Sequence, residues 1–413
     1  NACDAGREGE LIFRYIAQYS KTKKPIERLW LQSMTQSAIR DGFAVLRQDR
    51  DLLPLADAAK SRSEADWLVG INGTRAMTAF NSKEGGFYLT TVGRVQTPTL
   101  AILVEREEKI RAFQPRDYWE VHARFGAAAG EYAGRWYDSD FKKDDDAERK
   151  AERLWKAERA EAIAAASTGK PGTATEETKP STQASPLLYD LTSLQREANG
   201  RFGFSAKGTL SLAQSLYERH KALTYPRTDA RALPEDYVAT VKKTMDALAG
   251  VKEFAPFAKQ VLKSGWVRPN KRIFDNSKIS DHFAIIPTLQ TPGHLSEPEA
   301  KLYDLVVRRF LAVFFPSAEY LQTTRITTVG EAQFRTDGRV LQNPGWLAIY
   351  GKTVQDEAEN LPAITQGEKV RTLEAKATAN QTRAPARFNE ATLLSAMEGA
   401  GKLVEDDELR EAM

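Results

Sequence analysis

Segments with the alternating pattern of β-strands lie on both sides of a long helical stretch, and this order limits the folds open to the chain. Tyr118–Phe125 and Glu131–Tyr137 precede the stretch and alternate apolar with polar residues. Ala318–Val329 and Gln333–Leu341 follow it with the same alternation. The two β regions therefore bracket a helical insertion.

The length of 413 residues is too great for one hydrophobic core and predicts several domains. Arg7–Tyr19 predicts a helix with an apolar face, Ile26–Gln32 a strand, and Thr35 the N-cap of a second helix. Ala166–Ser185, rich in Thr, Ser and Pro, predicts a linker or an extended crossing segment. The predicted division is α/β over 1–55, helical over 56–115, β-rich over 116–185, helical over 186–312, β-rich over 313–385 and helical over 386–413.

Composition excludes several protein classes. No apolar run approaches the roughly 20 residues that span a bilayer, so we expect no membrane segment. The single Cys3 excludes an internal disulfide framework and an all-cysteine zinc site, and suits a reducing cytosol. The net charge of +3 is small, so a polyanion would need a local patch. The chain enters a charged motif directly after Asn1 and stops at Met413 inside a helical pattern, which predicts a longer protein.

The segment around Tyr225 carries a tyrosine suited to nucleophilic chemistry. Pro226 moves Tyr225 out of helical conformations and ends the preceding helix. Arg227 is always charged and could stabilise the anionic transition state of an attack on a phosphodiester. Gln195–Arg231 contains seven Lys or Arg against three Asp or Glu, which suits a phosphate backbone. A Tyr-Pro turn is nevertheless common, and alone it favours a structural role.

A second charged motif opens the chain. Asp4 and Glu8 flank a glycine-containing turn between a strand end predicted at Asn1–Asp4 and the following helix. Carboxylates at such a strand end can hold Mg²⁺, with several waters retained. Arg7 could contact a phosphate at the helix N-terminus. The alternative is that these acids only complement the helix dipole.

Together, ordered motifs along almost the whole chain resemble those of type IA DNA topoisomerases, and their forms look closer to the topoisomerase III branch. The matching segments are Asp4–Glu10 (Toprim signature), Gln32–Thr35 (strand-to-helix turn), Gly93–Leu100 (DNA-binding helix), Tyr225–Asp229 (active-site tyrosine), Asp281–Thr288 (histidine motif) and Phe388–Gly399 (return segment near the gate).

The resemblance implies a multidomain fold of α/β, α and β parts, arranged as a torus of four domains. The implied assignment is a partial Toprim domain at 1–55, a strand-binding helical domain at 56–115 and 386–413, a β-rich hinge and arch at 116–185 and 313–385, and a tyrosine-bearing helical domain at 186–312.

The resemblance also implies an ATP-independent topoisomerase that cleaves and religates one DNA strand to relax or decatenate DNA. Tyr225 would be the nucleophile and form a 5′-phosphotyrosine intermediate. Arg227 would position the scissile phosphate, and His282 would support the site by hydrogen bonding. Asp4 and Glu8 would hold Mg²⁺, which serves chiefly religation and positioning, and Glu8 is also a candidate catalytic residue.

The implied partner is single-stranded or underwound DNA, bound by a monomer in the bacterial cytoplasm in association with the nucleoid or a plasmid, without a membrane and without ATP. The candidate DNA-binding residues are Val92, Gly93, Arg94, Val95, Gln96 and Thr97, with Arg62, Asn72, Arg75, Arg7, Ser33 and Thr35.

Two departures from the family pattern affect these expectations. Gly6 stands where most relatives have a second Asp, and Glu10 or waters could compensate. The family's catalytic glutamate and an invariant lysine lie on a strand that would precede residue 1. The resemblance therefore implies a chain shortened at both ends.

Alternative functions follow from these departures. One is a truncated, non-catalytic fragment that binds single-stranded DNA, and another is a metal-dependent nuclease or primase built on the acidic motif. The sequence also leaves relaxation, decatenation, a plasmid role and activity on RNA as open alternatives.

Overall fold

The computed structural model describes residues 1–351 and 361–400. In these ranges the helices are α1 (Arg7–Ser20), α2 (Gln36–Ala44), α3 (Leu53–Asn81), α4 (Gln96–Ala112), α5 (Ala157–Ser167), α6 (Leu191–Phe202), α7 (Ala206–Glu218), α8 (Val238–Leu248), α9 (Ala255–Lys263), α10 (Glu297–Ala312) and α11 (Glu390–Glu398). The strands are β1 (Glu27–Arg28), β2 (Arg47–Gln48), β3 (Asp117–Ala127), β4 (Gly130–Trp136), β5 (Pro171–Gln183), β6 (Ala318–Val329), β7 (Ala332–Asn343) and β8 (Glu368–Gln381).

The chain divides into two compact units. The first comprises 1–107, 186–315 and 387–413, and the second comprises 108–185 and 316–386. None of the helices within the described ranges is both long enough and apolar enough to cross a membrane.

The second unit is a closed antiparallel barrel with the strand order β3-β4-β7-β6-β5-β8. The alternating segments on both sides of the helical stretch are strands, as predicted. β5 and β6 pair from Thr173 opposite Thr328 to Gln183 opposite Ala318. The helical stretch therefore leaves and re-enters the barrel at adjacent strand ends.

For Ala166–Ser185 the expectation was a linker or an extended crossing segment. The linker was wrong and the extended conformation was right for most of the length, because β5 is a barrel strand paired with both β6 and β8. Its inward positions carry small residues, and the side chain of Ala174 is fully buried. Small and polar residues give a weak strand signal, so tertiary pairing decides the conformation here.

The barrel core is aromatic. The ring of Phe125 lies 5.3 Å from that of Tyr132 and 5.4 Å from that of Phe334, and all three side chains are buried. Helix α5 packs Ala160 and Ala164 against the same cluster. The barrel interior is thus a packed core of side chains.

In the first unit, α6, α7 and α10 pack around fully buried residues such as Leu194, Leu216 and Phe310. Helix α6 ends at Gly203, whose φ of 70° is the left-handed conformation that favours glycine at a helix end.

At the N-terminus, α1 forms as predicted, and Thr35 caps α2 by accepting a hydrogen bond from the Ala38 amide at 3.2 Å. Asn1–Asp4 was wrongly predicted as a strand end, and the strand predicted at Ile26–Gln32 shrinks to β1. Asn1 nevertheless lies against this segment, because its carbonyl accepts from the Leu29 amide at 2.8 Å.

Glu299 ties the start of α10 to the end of α7. Its carboxylate accepts from the Ser215 hydroxyl at 2.6 Å and from the Ser296 amide and hydroxyl at 2.9 and 2.6 Å, and His220 Nε2 lies 3.3 Å away. The Ser296 contacts form a capping box. These hydrogen bonds, that from Ser215 foremost, lower the pKa of Glu299 to about 2.

We predict that Glu299→Gln lowers the free energy of unfolding at pH 7 by about 1–3 kcal/mol, because hydrogen bonds to a charged acceptor are lost. The folded-state pKa lies below the ordinary value of 4.5, so this stabilisation is present above pH 4.5 and declines as the pH falls towards 2. Denaturant unfolding of both proteins between pH 7 and pH 3 should show the difference shrinking.

The matched control is Glu297→Gln in the same helical turn. Glu297 is exposed and pairs only with Lys301 in the described part of the chain, so its replacement should change stability much less than Glu299→Gln does. Equal effects of the two substitutions, or a difference that does not vary with pH, would contradict this account.

Candidate active site

Two segments of the first unit pair beside each other and place Tyr225 next to His282. The Thr224 amide donates to the Ile286 carbonyl at 3.0 Å, and the Thr224 hydroxyl donates to the Ala284 carbonyl at 2.9 Å. Because Thr224 is held through both backbone and side chain, the position of Tyr225 is fixed by the histidine-bearing segment.

The ring of Tyr225 lies between two aromatic side chains. The His282 ring centroid is 4.3 Å away, and the Tyr217 ring meets it edge-on at 5.4 Å. The Thr228 hydroxyl donates to the His282 carbonyl at 2.9 Å. Tyr225 is half-buried, so packing holds its ring while the side chain stays partly accessible to solvent.

Arg227 is exposed two residues after the tyrosine. The Gln214 amide, oriented with its oxygen towards Arg227, accepts from Nη2 at 3.0 Å and from Nε at 3.3 Å. Gln214 and Tyr217 are three residues apart on α7 and so share one helix face. Sequence reasoning missed both residues, because on a helix they resemble an ordinary amphipathic pattern.

The acidic motif at the N-terminus lies at the same site. Asp4 Oδ2 is 3.7 Å from His282 Nε2, and the Asp4 side chain is 61% exposed. His282 thus lies between the carboxylate of Asp4 and the ring of Tyr225. Three segments that are far apart in sequence meet here.

A buried arginine holds the Asp4 segment in place. The Arg28 guanidinium donates to the carbonyls of Cys3 at 2.6 Å and Asp4 at 2.5 Å, and lies 3.3 Å from the fully buried carboxylate of Glu10. Glu10 also pairs with Arg14 at 2.6 Å. Burial lowers the pKa of Arg28, and the Glu10 charge acts in the opposite direction.

The suggestion that Glu10 could replace the carboxylate missing at Gly6 was therefore wrong, because Glu10 is inaccessible and neutralises two arginines. Another carboxylate lies close to Gly6. A side chain built at Gly6 would place its Cβ 3.1 Å from Oδ2 of Asp281. Asp281 in turn accepts a hydrogen bond from the Ser280 hydroxyl at 2.9 Å.

The donor chemistry for a divalent metal is present only in part. Asp4 and Glu8 are exposed carboxylates, the hard oxygen ligands that Mg²⁺ prefers. Within residues 1–351 and 361–400, no three His, Cys, Asp or Glu side chains converge as a metal site. Mg²⁺ is commonly held by one or two carboxylates with water and phosphate oxygens, so these two residues fit such an ion when a phosphate is also bound.

Ser33 and Thr35, candidate DNA-binding residues, both donate through their hydroxyls to Asp236, at 2.9 and 2.5 Å. Ser33 is buried. Arg7 is exposed in the first turn of α1, near Asp4 in sequence.

The remaining candidate DNA-binding residues lie on α3 and at the start of α4. Arg62, Asn72 and Arg75 are exposed on α3. The segment Val92–Thr97 packs on that helix, since the Val92 amide donates to the Thr74 hydroxyl at 3.0 Å. In that segment, Gly93 and Thr97 hydrogen-bond to each other, and Val95 and Gln96 are exposed.

Arg94 pairs with Asp66 at 3.2 Å. Trp67 is 63% exposed on α3. In the part of the chain that the structure describes, none of these α3 and α4 side chains hydrogen-bonds to or stacks on the Tyr225 group. The candidate residues therefore form two sets. One is the tyrosine site, and the other is a group of residues on α3 and at the start of α4.

Comparison with known proteins finds similarity to DNA topoisomerases. A family model described as DNA topoisomerase matches residues 53–401. DNA topoisomerase 3 of Bacillus licheniformis is 42% identical over 98% of this chain and 54% of its own length, and that of Bacillus subtilis is 41% identical over 98% and 55%. The chain thus spans about half the length of the curated relatives it matches.

Among solved structures, full-length topoisomerase I from Thermotoga maritima matches with a TM-score of 0.68 and 21% identity. The match covers 97% of this chain and 62% of that protein. At this identity the likeness concerns the fold.

Gly9 allows a test of how the Asp4 segment is positioned. A Cβ at Gly9 would lie 2.2 Å from the Asp4 carbonyl oxygen and 2.8 Å from its amide nitrogen. Alanine normally stabilises a helix by about 1 kcal/mol relative to glycine. We predict that Gly9→Ala instead destabilises the protein by about 1–3 kcal/mol, measured by denaturant unfolding, because the Asp4 backbone must move.

Gly6→Ala is the matched control, since its Cβ would meet only the movable side chain of Asp281. We expect it to leave stability within about 1 kcal/mol of the parent protein. A stabilising effect of Gly9→Ala would show that the close approach of α1 to Asp4 does not constrain the loop.

Proposed function

This chain belongs to the type IA DNA topoisomerase family, and we propose that it cleaves and religates one strand of DNA through Tyr225, without ATP. The observation that carries the proposal is the packing of Tyr225 against His282, with Arg227 two residues away and Asp4 on the far side of the histidine. Phosphoryl transfer needs a nucleophile, a cation that binds the phosphate and groups that orient the nucleophile. Tyr225, Arg227 and the pair of His282 and Asp4 are the candidates for these three roles.

In the proposed reaction, the phenolic oxygen of Tyr225 forms a bond to phosphorus as the bond from phosphorus to the 3′-oxygen breaks. The phenol loses its proton, and the leaving 3′-oxygen gains one. The 5′ end of the cut strand is then held as a phosphotyrosine ester. The reverse attack by the 3′-hydroxyl religates the strand, so the energy of the phosphodiester is conserved and no nucleotide is consumed.

Arg227 is placed to stabilise the charge on the phosphate in this step. Its guanidinium is exposed, and Gln214 holds Nε and one terminal nitrogen, which leaves other N–H groups for a ligand. A positioned, permanently charged donor is most effective where charge accumulates in the transition state.

His282 is proposed to orient Tyr225 and to hydrogen-bond to the reacting strand. Its ring stacks against the tyrosine while Nε2 faces Asp4 at 3.7 Å. The Asp4 carboxylate favours the imidazole tautomer in which Nε2 carries the hydrogen.

We further propose Mg²⁺ as the cofactor, held by Asp4 and Glu8, with Glu8 also acting as a catalytic residue. When bound, the ion would supply positive charge for positioning a phosphate during religation. Val92–Thr97 with Arg62, Asn72 and Arg75 would bind the single strand, and Arg7, Ser33 and Thr35 would lie near its path.

The wider proposal is a monomer that acts on single-stranded or underwound DNA in the cytoplasm, to relax or decatenate DNA of the nucleoid or of plasmids. The six segments predicted from the sequence would then be the partial Toprim, strand-binding, hinge and tyrosine-bearing parts.

Covalent trapping tests the proposal. We expect a 3′-end-labelled single-stranded oligonucleotide to leave its label on the protein after detergent denaturation. The same oligonucleotide labelled at its 5′ end should release a free fragment, because Tyr225 holds the 5′ phosphate. Tyr225→Phe should abolish both products.

Tyr217→Phe is the matched control, since it removes another hydroxyl from the same aromatic group and should retain the adduct. Label transfer from the 5′-labelled strand, or free ends on both fragments, would contradict the proposed chemistry. Strand binding without any adduct would instead favour a non-catalytic strand-binding fragment.

A further inference from the structure

Two arginines outside the tyrosine site share a single carboxylate. Arg196 on α6 donates from Nη1 to Glu398 Oε2 at 3.1 Å, and Arg231 donates from Nη2 to Glu398 Oε1 at 3.0 Å. Each oxygen of the carboxylate thus faces a different guanidinium. Phosphate oxygens are bound by arginine in the same way, so the pair has the geometry of a phosphate-binding site.

The charges around this pair balance because Glu398 is present. Arg231 also pairs with Asp190 at 2.6 Å, and Arg309 pairs with Glu197. Glu398 is the only carboxylate within ion-pair distance of Arg196 among the described residues. Removing Glu398 would leave Arg196 without a counter-charge, and one phosphodiester carries the single negative charge that would restore it.

The site is accessible. The side chains of Arg196, Arg231 and Glu398 are 39%, 34% and 43% exposed. Arg196 and Arg231 border a cavity of about 430 Å³, which Ser193 on α6 and Ser395 on α11 also line.

We propose that Arg196 and Arg231 bind a phosphodiester of a DNA strand, and that Glu398 occupies this site as an internal substitute when no strand is present. The proposal rests on the proposed function only in taking DNA as the ligand. Arg231 follows Tyr225 by six residues, so a strand held there is linked by a short stretch of chain to the nucleophile.

The exchange of Glu398 for a DNA phosphate affects the attachment of α11. A strand that binds the arginine pair must displace Glu398, and with it one polar contact between α11 and α6. Strand binding should therefore loosen α11, and loosening of α11 should in turn favour strand binding. If Glu398 served only to attach α11, removing its charge would not tighten strand binding.

The test is equilibrium binding of a fluorescent oligothymidine to the full chain in a Tyr225→Phe background, so that strand cleavage plays no part. Glu398→Gln should tighten binding about two- to fivefold, the range expected for an exposed ion pair. Arg196→Gln should weaken binding by a similar factor and reduce the slope of log K against log salt by about 0.7.

Two further variants match these changes in charge. Asp246→Asn on α8 is the control for Glu398→Gln, and Lys259→Gln on α9 is the control for Arg196→Gln. Both residues are exposed and do not line the cavity, so each control should change affinity by less than the variant it matches. The double variant Glu398→Gln with Arg196→Gln should bind more weakly than Glu398→Gln alone, because only Arg231 remains to hold the phosphate. Weaker or unchanged binding by Glu398→Gln would overturn the proposal and leave Glu398 a structural contact.

Free phosphate is the other source of the same chemistry, and a separate comparison distinguishes it. Binding is repeated with inorganic phosphate in place of chloride at equal ionic strength. If the site is specific for a strand, Glu398→Gln keeps its advantage over the parent protein. Loss of that advantage in phosphate would show that the arginine pair takes the free ion and would overturn the assignment to DNA.

Discussion

The buried pair of Arg28 and Glu10 is the interaction on which the candidate site depends. Both side chains are almost fully excluded from water, so each charge requires the other. Arg28 uses its remaining donors on the carbonyls of Cys3 and Asp4, which fixes a segment that has no regular secondary structure. An aliphatic residue at position 28 would leave Glu10 charged and buried beside Arg14, and would free the Asp4 backbone.

From Asp4 the arrangement continues through His282 to Tyr225, and each step comes from a different part of the chain. The tyrosine is not presented by a helix end alone. It is held by Thr224, which bonds to the histidine-bearing segment through its backbone and its hydroxyl. A disturbance at any of the three segments should therefore reach the nucleophile.

Sequence patterns predicted α1, the Thr35 cap and the strands around the helical stretch, because periodicity and capping are local properties. They failed for β5, whose alternating small and polar residues resemble a linker until β6 and β8 pair with it. They also failed for Glu10, since only the fold shows that it is buried between arginines. Gln214 and Asp281 were missed for a similar reason: each matters through a neighbour that is distant in sequence.

Several hydrogen bonds join residues 1–52 to the tyrosine-bearing part of the first unit. Gln32 donates to the carbonyls of Ile279 and Ser280 at 2.6 and 3.0 Å, and the hydroxyls of Ser33 and Thr35 donate to Asp236. Each such bond contributes only about 0.5–1.5 kcal/mol, because water can replace either partner. An apolar interface would resist separation far more strongly. Polar contacts therefore suit the proposed reaction, in which these elements would part to let a strand pass and then restore the same geometry for religation.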